Sequence, residues 1–343
     1  MTIKDIARES GYAVSTVSRA LNGHPDVSPI ARAKIMAVVE ARHFSPNNNA
    51  KHLKQASSSG VAVVVKGTRN MLFAGMVEQV QTRIEDGGYA AAVYYQDEDA
   101  DEVEQARQIC RERKPLGILF LGGDLDNFRA GFAQVGLPCV LVTNSAAALE
   151  FPNLSSVTTD DASAAACAVE YLMERGHRSI GILGGNLACS QISYRRLTGC
   201  EDAFRRRGVP FDRARQYESA RFSMPMAYEA TLRLLDRSPE LTALFAMSDV
   251  MAIGALRALR DRGRRVPEDI SVMGYDGIEL GRFCVPRLST VRQDAERLAL
   301  RGVEILLRQL EQGGQAVHEL APFRLVAGES VDEPKQHGRA DAT

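Results

Sequence analysis

The chain has 343 residues, of which 45% are hydrophobic and 25% are charged, a composition typical of a globular protein with two or three domains. No apolar run approaches the roughly 20 residues that a membrane span needs, so we expect no membrane partner. The sequence begins Met-Thr-Ile-Lys-Asp, without the apolar stretch of a signal peptide, and this predicts a cytoplasmic location.

The net charge of −1 is unevenly distributed along the chain. The first 60 residues carry eight basic and four acidic side chains, whereas the remainder is acidic. A basic head on an acidic body suits nucleic-acid binding by the head, although a charge of this size is also common on an ordinary solvated surface.

Three short helices are predicted near the N-terminus. The first spans 3–10, with Thr2 as its candidate N-cap. The second spans 15–22, where apolar residues recur at helical spacing. Ser28 precedes Pro29, an N-cap followed by proline at the first helical position, and so begins the third helix.

The segment 44–60 predicts a domain boundary. A turn cluster precedes a short helix-capable stretch and the flexible linker Ser57-Ser58-Ser59-Gly60. The sequence is therefore divided into a head over 1–56, a body over 60–332 and a polar tail over 333–343.

From residue 61 onward, strand-like apolar runs alternate with amphipathic helices. Near-continuous apolar strands separated by helices are typical of parallel sheets covered on both faces, so the predicted fold class is α/β with two such sheets. The predicted strands are 61–65, 90–95, 117–121, 139–142, 179–183, 243–247 and 270–275. The predicted helices include 74–86, 162–174, 197–207, 227–235 and 250–262.

The first two helices have the spacing of a helix-turn-helix, in which the second helix enters the major groove of DNA. Val14, Ser15 and Arg19 are the candidates for base contacts, because arginine can donate two hydrogen bonds to guanine and valine can touch a thymine methyl. The short polar side chains suited to phosphate contacts are Thr16, Ser18 and Asn22. An ordinary helical hairpin with surface serines and threonines fits the spacing about equally well.

The residue identities favour the DNA-binding interpretation. Segments 2–11, 15–23, 27–29 and 46–47 together closely resemble the head of the lactose-repressor (LacI/GalR) family, because residue types and three helix spacings agree at once. One departure is Tyr12-Ala13, where the family usually has Val-Ser. Ala13 lacks the hydroxyl that would cap the recognition helix and touch a phosphate.

The resemblance also gives a role to a hinge segment over about 47–55. In the family this segment becomes a helix on the operator, and two such helices, one per subunit, lie in the minor groove. Asn47, Ala50 and Leu53 are the implied DNA contacts, with Leu53 as the apolar wedge that kinks the central base step. The alternative for Leu53 is a linker leucine that packs on the body.

The body resembles the family's effector domain, a two-lobed fold shared with periplasmic sugar-binding proteins. The resemblance places the amino-terminal lobe at 61–159 and 292–319, and the carboxy-terminal lobe at 160–291 and 320–332. It implies that a small molecule, most often a sugar, binds in the cleft at the carboxyl ends of the strands, and it implies no cofactor.

Eight residues stand at effector positions of the family. They are Phe73, Asp160, Ser190, Arg196, Phe222, Ser248, Asp249 and Asp276, with Ser248 where asparagine is commoner. Their chemistry suits a sugar or nucleoside, since a carboxylate accepts from adjacent hydroxyls, a guanidinium donates in a fork, and an aromatic face covers a ring. The structural alternatives are core aromatics for Phe73 and Phe222, a helix start for Asp249 and a surface salt bridge for Arg196.

The sequence thus predicts a transcriptional repressor that binds a pseudo-palindromic operator as a homodimer and is controlled by an effector in the cleft. Whether the effector releases DNA or tightens its binding stays open. No heptad tail of the kind that forms tetramers follows Glu333, which favours the dimer.

Two other classes compete with this interpretation. An α/β enzyme such as a dehydrogenase or hydrolase is disfavoured, because there is no GxGxxG after the early strands and no GxSxG, HExxH or P-loop, so we expect no catalytic residues. A periplasmic sugar-binding protein is disfavoured by the missing signal peptide and by the head. The six cysteines are scattered without CxxC spacing, which predicts free thiols and no metal site.

Overall fold

The computed structural model describes residues 3–21, 27–42, 60–188 and 190–335. The chain divides into two compact units, residues 1–57 and residues 58–343. No helix in the described part of the chain is long and apolar enough to cross a membrane.

The first unit contains the three predicted helices, α1 (Ile3–Ser10), α2 (Val14–Leu21) and α3 (Pro29–Ala41). Ile6, Val17 and Ile35, one from each helix, are fully buried together and form the centre of a small core. Ser28 caps α3 as expected, because its hydroxyl accepts a hydrogen bond from the Ala31 backbone nitrogen at 3.3 Å.

The second unit is built on two six-stranded sheets. The first contains β1 (Gly60–Lys66), β2 (Ala90–Gln96), β3 (Gly117–Leu121), β4 (Cys139–Val142), β5 (Leu154–Thr159) and β11 (His318–Ala321). The second contains β6 (Ile180–Gly184), β7 (Tyr217–Ser219), β8 (Ala243–Ala246), β9 (Ser271–Asp276), β10 (Ser289–Gln293) and β12 (Phe323–Val326). The strand orders are β11-β5-β4-β3-β1-β2 and β12-β10-β9-β8-β6-β7. All neighbours are parallel except β12, which runs antiparallel to β10, and the predicted fold class is confirmed.

Helices cover both faces of each sheet, which explains why the strands are apolar on both sides. They are α4 (Met71–Asp86), α5 (Glu102–Arg113), α6 (Leu125–Gly131), α7 (Asp161–Glu174), α8 (Gln191–Arg206), α9 (Arg213–Gln216), α10 (Met224–Arg237), α11 (Asp249–Asp261) and α12 (Ala295–Gln312). In the first lobe α4 and α12 pack on one face and α5 and α6 on the other. In the second lobe α7 and α8 face α10 and α11 across the sheet.

The chain crosses between the two lobes three times, after β5, after β10 and after β11. The strand β10 runs on to Gln293 in the second sheet, and β11 runs on to Ala321 in the first. The second and third crossings therefore lie two residues later than the starts at 292 and 320 that the sequence suggested. Asp160 and Asp294, which follow β5 and β10, are helix N-caps, so the first two crossings each lead into a capped helix.

Candidate ligand cleft and DNA-binding head

A cavity of about 880 Å³ lies between the two lobes of the body. Its walls include Lys66, Asp276 and Gln293, which are the last residues of β1, β9 and β10. Ligands of open α/β sheets bind at these carboxyl ends, and the volume is within the range of small-molecule sites. Five of the eight predicted effector residues line the cavity, namely Phe73, Ser190, Arg196, Phe222 and Asp276.

Arg196 lies on α8 and is 4% exposed. Its Nε donates to Asp161 Oδ1 at 2.8 Å, and its guanidinium lies 3.8 Å from the centre of the Tyr275 ring. A Cβ at Gly199 would stand 2.0 Å from the Ala162 carbonyl oxygen, so this glycine lets α8 approach α7 closely and brings the two charges together. Arg196 thus forms a buried salt bridge rather than the surface pair considered from the sequence.

Asp276 is a buried acidic group in the cavity wall and is 4% exposed. Its backbone has a φ of 114°, a strained conformation for a residue other than glycine, and such strain is concentrated at functional sites. Gln293 Nε2 donates to its Oδ1 at 2.8 Å, and Gln293 Oε1 in turn accepts from the Thr159 hydroxyl at 2.8 Å. Burial raises the pKa of Asp276 to about 6, although the charge of Arg196 and the Gln293 hydrogen bond oppose the rise.

Two aromatic rings stand against glycines at the cavity wall. Phe73 lies in the first turn of α4, and a Cβ at Gly122 would come within 3.0 Å of its ring. Phe222 follows β7, and a Cβ at Gly185 would come within 3.0 Å of its ring. Since both rings also line the cavity, each can offer a face to an apolar ring surface of a ligand.

Ser190 lines the cavity while it caps α8. Its hydroxyl accepts from the Ser193 backbone nitrogen at 3.3 Å and donates to the Ser193 hydroxyl at 3.0 Å. A serine oxygen has two lone pairs, so one acceptor position can serve the helix and another a ligand.

The other three predicted residues lie outside the cavity lining, because their side chains are used by the fold. Asp160 is exposed and caps α7, accepting from the Ser163 backbone nitrogen at 3.2 Å. Ser248 is buried and caps α11. Asp249 is the first residue of α11, as the helix-start alternative suggested, and its buried carboxylate accepts from the Ile278 backbone nitrogen at 2.8 Å.

The mouth of the cavity is bridged by polar contacts between the lobes. Arg221 of the second lobe pairs with Glu98 at 3.1 Å and with Asp99 at 3.2 Å in the first. Gln191 at the start of α8 donates to Asp126 of α6 at 3.1 Å. The two lobes are therefore joined on the solvent side of the cavity as well as at the crossings.

In the head, α2 is the second helix of the helix-turn-helix and begins one residue earlier than predicted. Its Val17 is buried, whereas Arg19 is exposed and Val14 is 42% exposed, so these two candidate base contacts lie on the solvent side. Thr16 is half-buried. Ser15 and Ser18 lie within α2. The remaining predicted DNA contacts, Asn22, Asn47, Ala50 and Leu53, lie outside the described residues.

Comparison with known proteins decides between the candidate classes. The model for bacterial regulatory proteins of the lacI family matches residues 2–47, and the model for the periplasmic binding protein-like domain matches residues 169–331. The HTH-type transcriptional regulator MalR of Clostridium butyricum is 34% identical over 96% of this chain and 99% of its own length. This chain belongs to the lacI family of bacterial regulatory proteins.

Two further proteins are similar to the lacI-family regulator over both of its units. The ribose operon repressor of Haemophilus influenzae is 32% identical over 90% of this chain and 92% of that protein. The solved complex of the transcriptional regulator CelR with cellobiose has a TM-score of 0.70 and 26% identity, covering 96% of this chain and 99% of that one. The resemblance found in the sequence is confirmed, and the regulator binds DNA to control transcription and is not an enzyme.

Sequence reasoning missed several residues that line the regulator's cavity, among them Lys66, Asn127, Thr143 and Gln293. Lys66 had a visible signal, because it is a charged residue directly after the apolar run of β1. The Thr143 hydroxyl is buried with no hydrogen-bond partner within the described ranges, and its backbone φ is 78°. A buried hydroxyl without a partner at a cavity wall is a group that a ligand can satisfy.

Proposed function

We propose that the chain is a cytoplasmic repressor that binds a pseudo-palindromic operator as a homodimer and responds to a sugar or sugar derivative between its lobes. In this proposal residues 1–57 form the DNA-binding head with its hinge, and the body forms the effector domain. The main support is one arrangement within the body, where Asp276 and Arg196 lie in the wall of a cavity that also presents two aromatic rings.

The chemistry of the cavity favours a polyhydroxylated ligand. Asp276 has acceptor capacity beyond its bond to Gln293, and adjacent sugar hydroxyls can donate to it. Arg196 can donate to a ligand with the N–H groups that neither Asp161 nor the Met247 carbonyl oxygen occupies. Phe73 and Phe222 can cover the apolar face of a pyranose or furanose ring. The names of two relatives, a ribose operon repressor and a cellobiose complex, are consistent with this ligand class.

The DNA contacts are proposed for the exposed side of α2 and for the hinge. Arg19 and Val14, whose side chains are exposed, would meet base edges, and Ser15 of the same helix is proposed as a third base contact. Thr16, Ser18 and Asn22 would contact phosphates, and Asn47, Ala50 and Leu53 would act from the hinge in the minor groove.

A homodimer is supported by an apolar surface in the second lobe. In the loop between β9 and β10, Phe283 is 72% exposed and Val285 is 97% exposed. Contiguous exposed apolar side chains are typical of protein interfaces, and a two-fold dimer matches the symmetry of a pseudo-palindrome. Closure of both clefts would change the separation of the two linkers, so effector and operator would alter each other's affinity equally.

Two linked measurements test the proposal. A thermal-shift screen of sugars and nucleosides should find a ligand that stabilises the protein by about 2.7 kcal/mol at a hundred times its dissociation constant. A gel-shift titration should then show that the same ligand changes operator affinity, weaker binding identifying an inducer and tighter binding a corepressor. A protein with no preference for any duplex sequence over random competitor, with or without ligand, would contradict the proposal.

A further inference from the structure

One wall of the cavity is organised by a carboxylate that lies behind it. Glu102 at the start of α5 is completely buried and accepts a hydrogen bond from Lys66 Nζ. It also accepts from Asn127 Nδ2 at 3.1 Å and from the Asp124 backbone nitrogen. All three donor residues line the cavity, so Glu102 holds this wall in place. It also neutralises Lys66, the one cation that the described residues of the amino-terminal lobe contribute to the cavity.

The opposite wall repeats this arrangement. Arg196 is held by Asp161, which is 5% exposed and is not itself part of the lining. The positive charge of the guanidinium is therefore balanced from behind before any ligand arrives. Asp276 has no ion pair within salt-bridge distance among the described residues, and its hydrogen-bond partners there, the Gln293 amide and the Asp249 backbone N–H, are neutral, although the nearby charge of Arg196 also acts on it.

The two cations nearer the mouth of the cavity, Arg221 and Arg233, also have carboxylate partners. Arg221 pairs with Glu98 and Asp99 at the mouth, and Arg233 Nε contacts Glu218 Oε1 at 2.8 Å. Each of the four cationic side chains that line the cavity within the described ranges thus has a carboxylate partner. A carboxylate or phosphate group on a ligand would find no uncompensated positive charge and would approach Asp276.

We infer that the cleft takes an uncharged polyhydroxy ligand and discriminates against sugar acids and sugar phosphates, and that the Lys66–Glu102 pair sets this preference on the amino-terminal lobe. The inference rests on the sugar effector proposed above and narrows its class. Lys66 acts as a hydrogen-bond donor to a neutral oxygen rather than as an anion receptor, because Glu102 already satisfies its charge. The unpaired hydroxyl of Thr143 offers a further neutral partner in the same cavity.

The first test uses the full-length protein and neutral sugars paired with their anionic derivatives, of which the uronates match their parent sugars most closely in size. Calorimetry would compare glucose with glucuronate and glucose 6-phosphate, galactose with galacturonate, ribose with ribose 5-phosphate, and cellobiose with cellobionate. The inference expects every hit to be neutral, with its anionic counterpart weaker by about tenfold or more. An anionic member that binds as tightly as its neutral counterpart overturns the inference and leaves the proposed sugar-responsive function intact. A panel without any hit contradicts the sugar effector itself and the inference with it.

The second test changes the charge of the wall without changing its shape. Glu102→Gln keeps an acceptor oxygen for Lys66 and Asn127 but leaves the ammonium charge unbalanced, at the cost of the hydrogen bond from the Asp124 backbone nitrogen. We expect the ratio of anionic to neutral affinity to rise by about tenfold or more. Glu104→Gln is the matched control, because Glu104 lies on the same helix with half of its side chain exposed and should leave the ratio unchanged. If the Glu102→Gln variant folds and its ratio of anionic to neutral affinity is unchanged, the role of the Lys66–Glu102 pair is overturned. If the variant does not fold, the comparison of neutral and anionic sugars on the unmodified protein still decides the ligand class.

Discussion

Replacement of Asp276 by asparagine is expected to stabilise the ligand-free protein while weakening its effector. The carboxyl group is buried, and burial is the main cause that raises its pKa to about 6. At neutral pH the side chain is ionised in a site that disfavours the charge. The rise of about two units above the ordinary aspartate value corresponds to about 3 kcal/mol, an upper limit for the gain on neutralisation. Asparagine can still accept from Gln293 Nε2, so that hydrogen bond need not be lost.

The sign of the pH dependence follows from the same pKa. Because the folded pKa of Asp276 is above its unfolded value, the native state holds a proton that the unfolded state has released between about pH 4 and about pH 6. The contribution of this group to the free energy of unfolding therefore falls as the pH rises through that interval. In Asp276→Asn this fall is absent, so the two proteins should differ little near about pH 4 and most above about pH 6.

Thermal unfolding of the two proteins across this pH range measures the difference, and Asp160→Asn is the matched control. Asp160 is an exposed helix cap, and asparagine caps a helix as well as aspartate does, so the control should unfold like the parent at every pH. For the effector, loss of a charge-assisted hydrogen bond should weaken binding roughly ten- to hundredfold. A variant that is less stable than the parent by the same amount at every pH would refute the argument from burial. A variant that binds effector normally would refute the assignment of Asp276 to the cleft.

Three other substitutions address the head, the deep cleft and its mouth. Arg19→Ala should cost about 1–3 kcal/mol of operator affinity and relax the preference at one base pair in gel shifts with operator variants, whereas an equal loss on every sequence would indicate a phosphate contact. Arg196→Lys keeps a positive charge beside Asp161 but loses the fork, so ligand-induced thermal stabilisation should disappear while ligand-free operator affinity stays unchanged. The control Arg205→Lys lies on the same helix with an exposed side chain, and a normal ligand response in Arg196→Lys would contradict our cleft. Arg221→Ala should change effector affinity by less than about fivefold, because the ion pairs of Arg221 are solvent-exposed, and the change should be smaller still at high salt. A much larger loss of affinity in calorimetry would mean that Arg221 contacts the ligand directly.

The sequence predicted the elements whose signals are local. The runs at 117–121 and 139–142 coincide with β3 and β4, because buried parallel strands are apolar without interruption. It gave no comparable signal for β7 and β12, which are short and half-exposed. For such strands the neighbouring strand in the sheet, rather than the local pattern, decides the structure.

The family resemblance predicted Arg196 and Asp276 as effector residues, and both line the cavity. The cleft was not predictable where the role depends on a partner far along the chain. The sequence suggested Asp160, yet the residue that holds Arg196 is its neighbour Asp161, since the strand ends at Thr159 and the helix N-cap takes the first carboxylate. The Lys66–Glu102 pair likewise depends on packing between β1 and α5, which no local pattern shows.

Gln293 links the proposed ligand-binding carboxylate Asp276 to the first crossing between the lobes. One end of its planar amide donates to Asp276, and the other end accepts from Thr159, at the point where the chain first leaves the amino-terminal lobe. A rigid amide cannot turn toward a new partner at one end without disturbing the other. Substitutions of Gln293 that change the contact with Asp276 are therefore expected to change the contact at the first crossing as well. In the proposed mechanism, ligand choice and the size of the transcriptional response would be coupled through this one side chain.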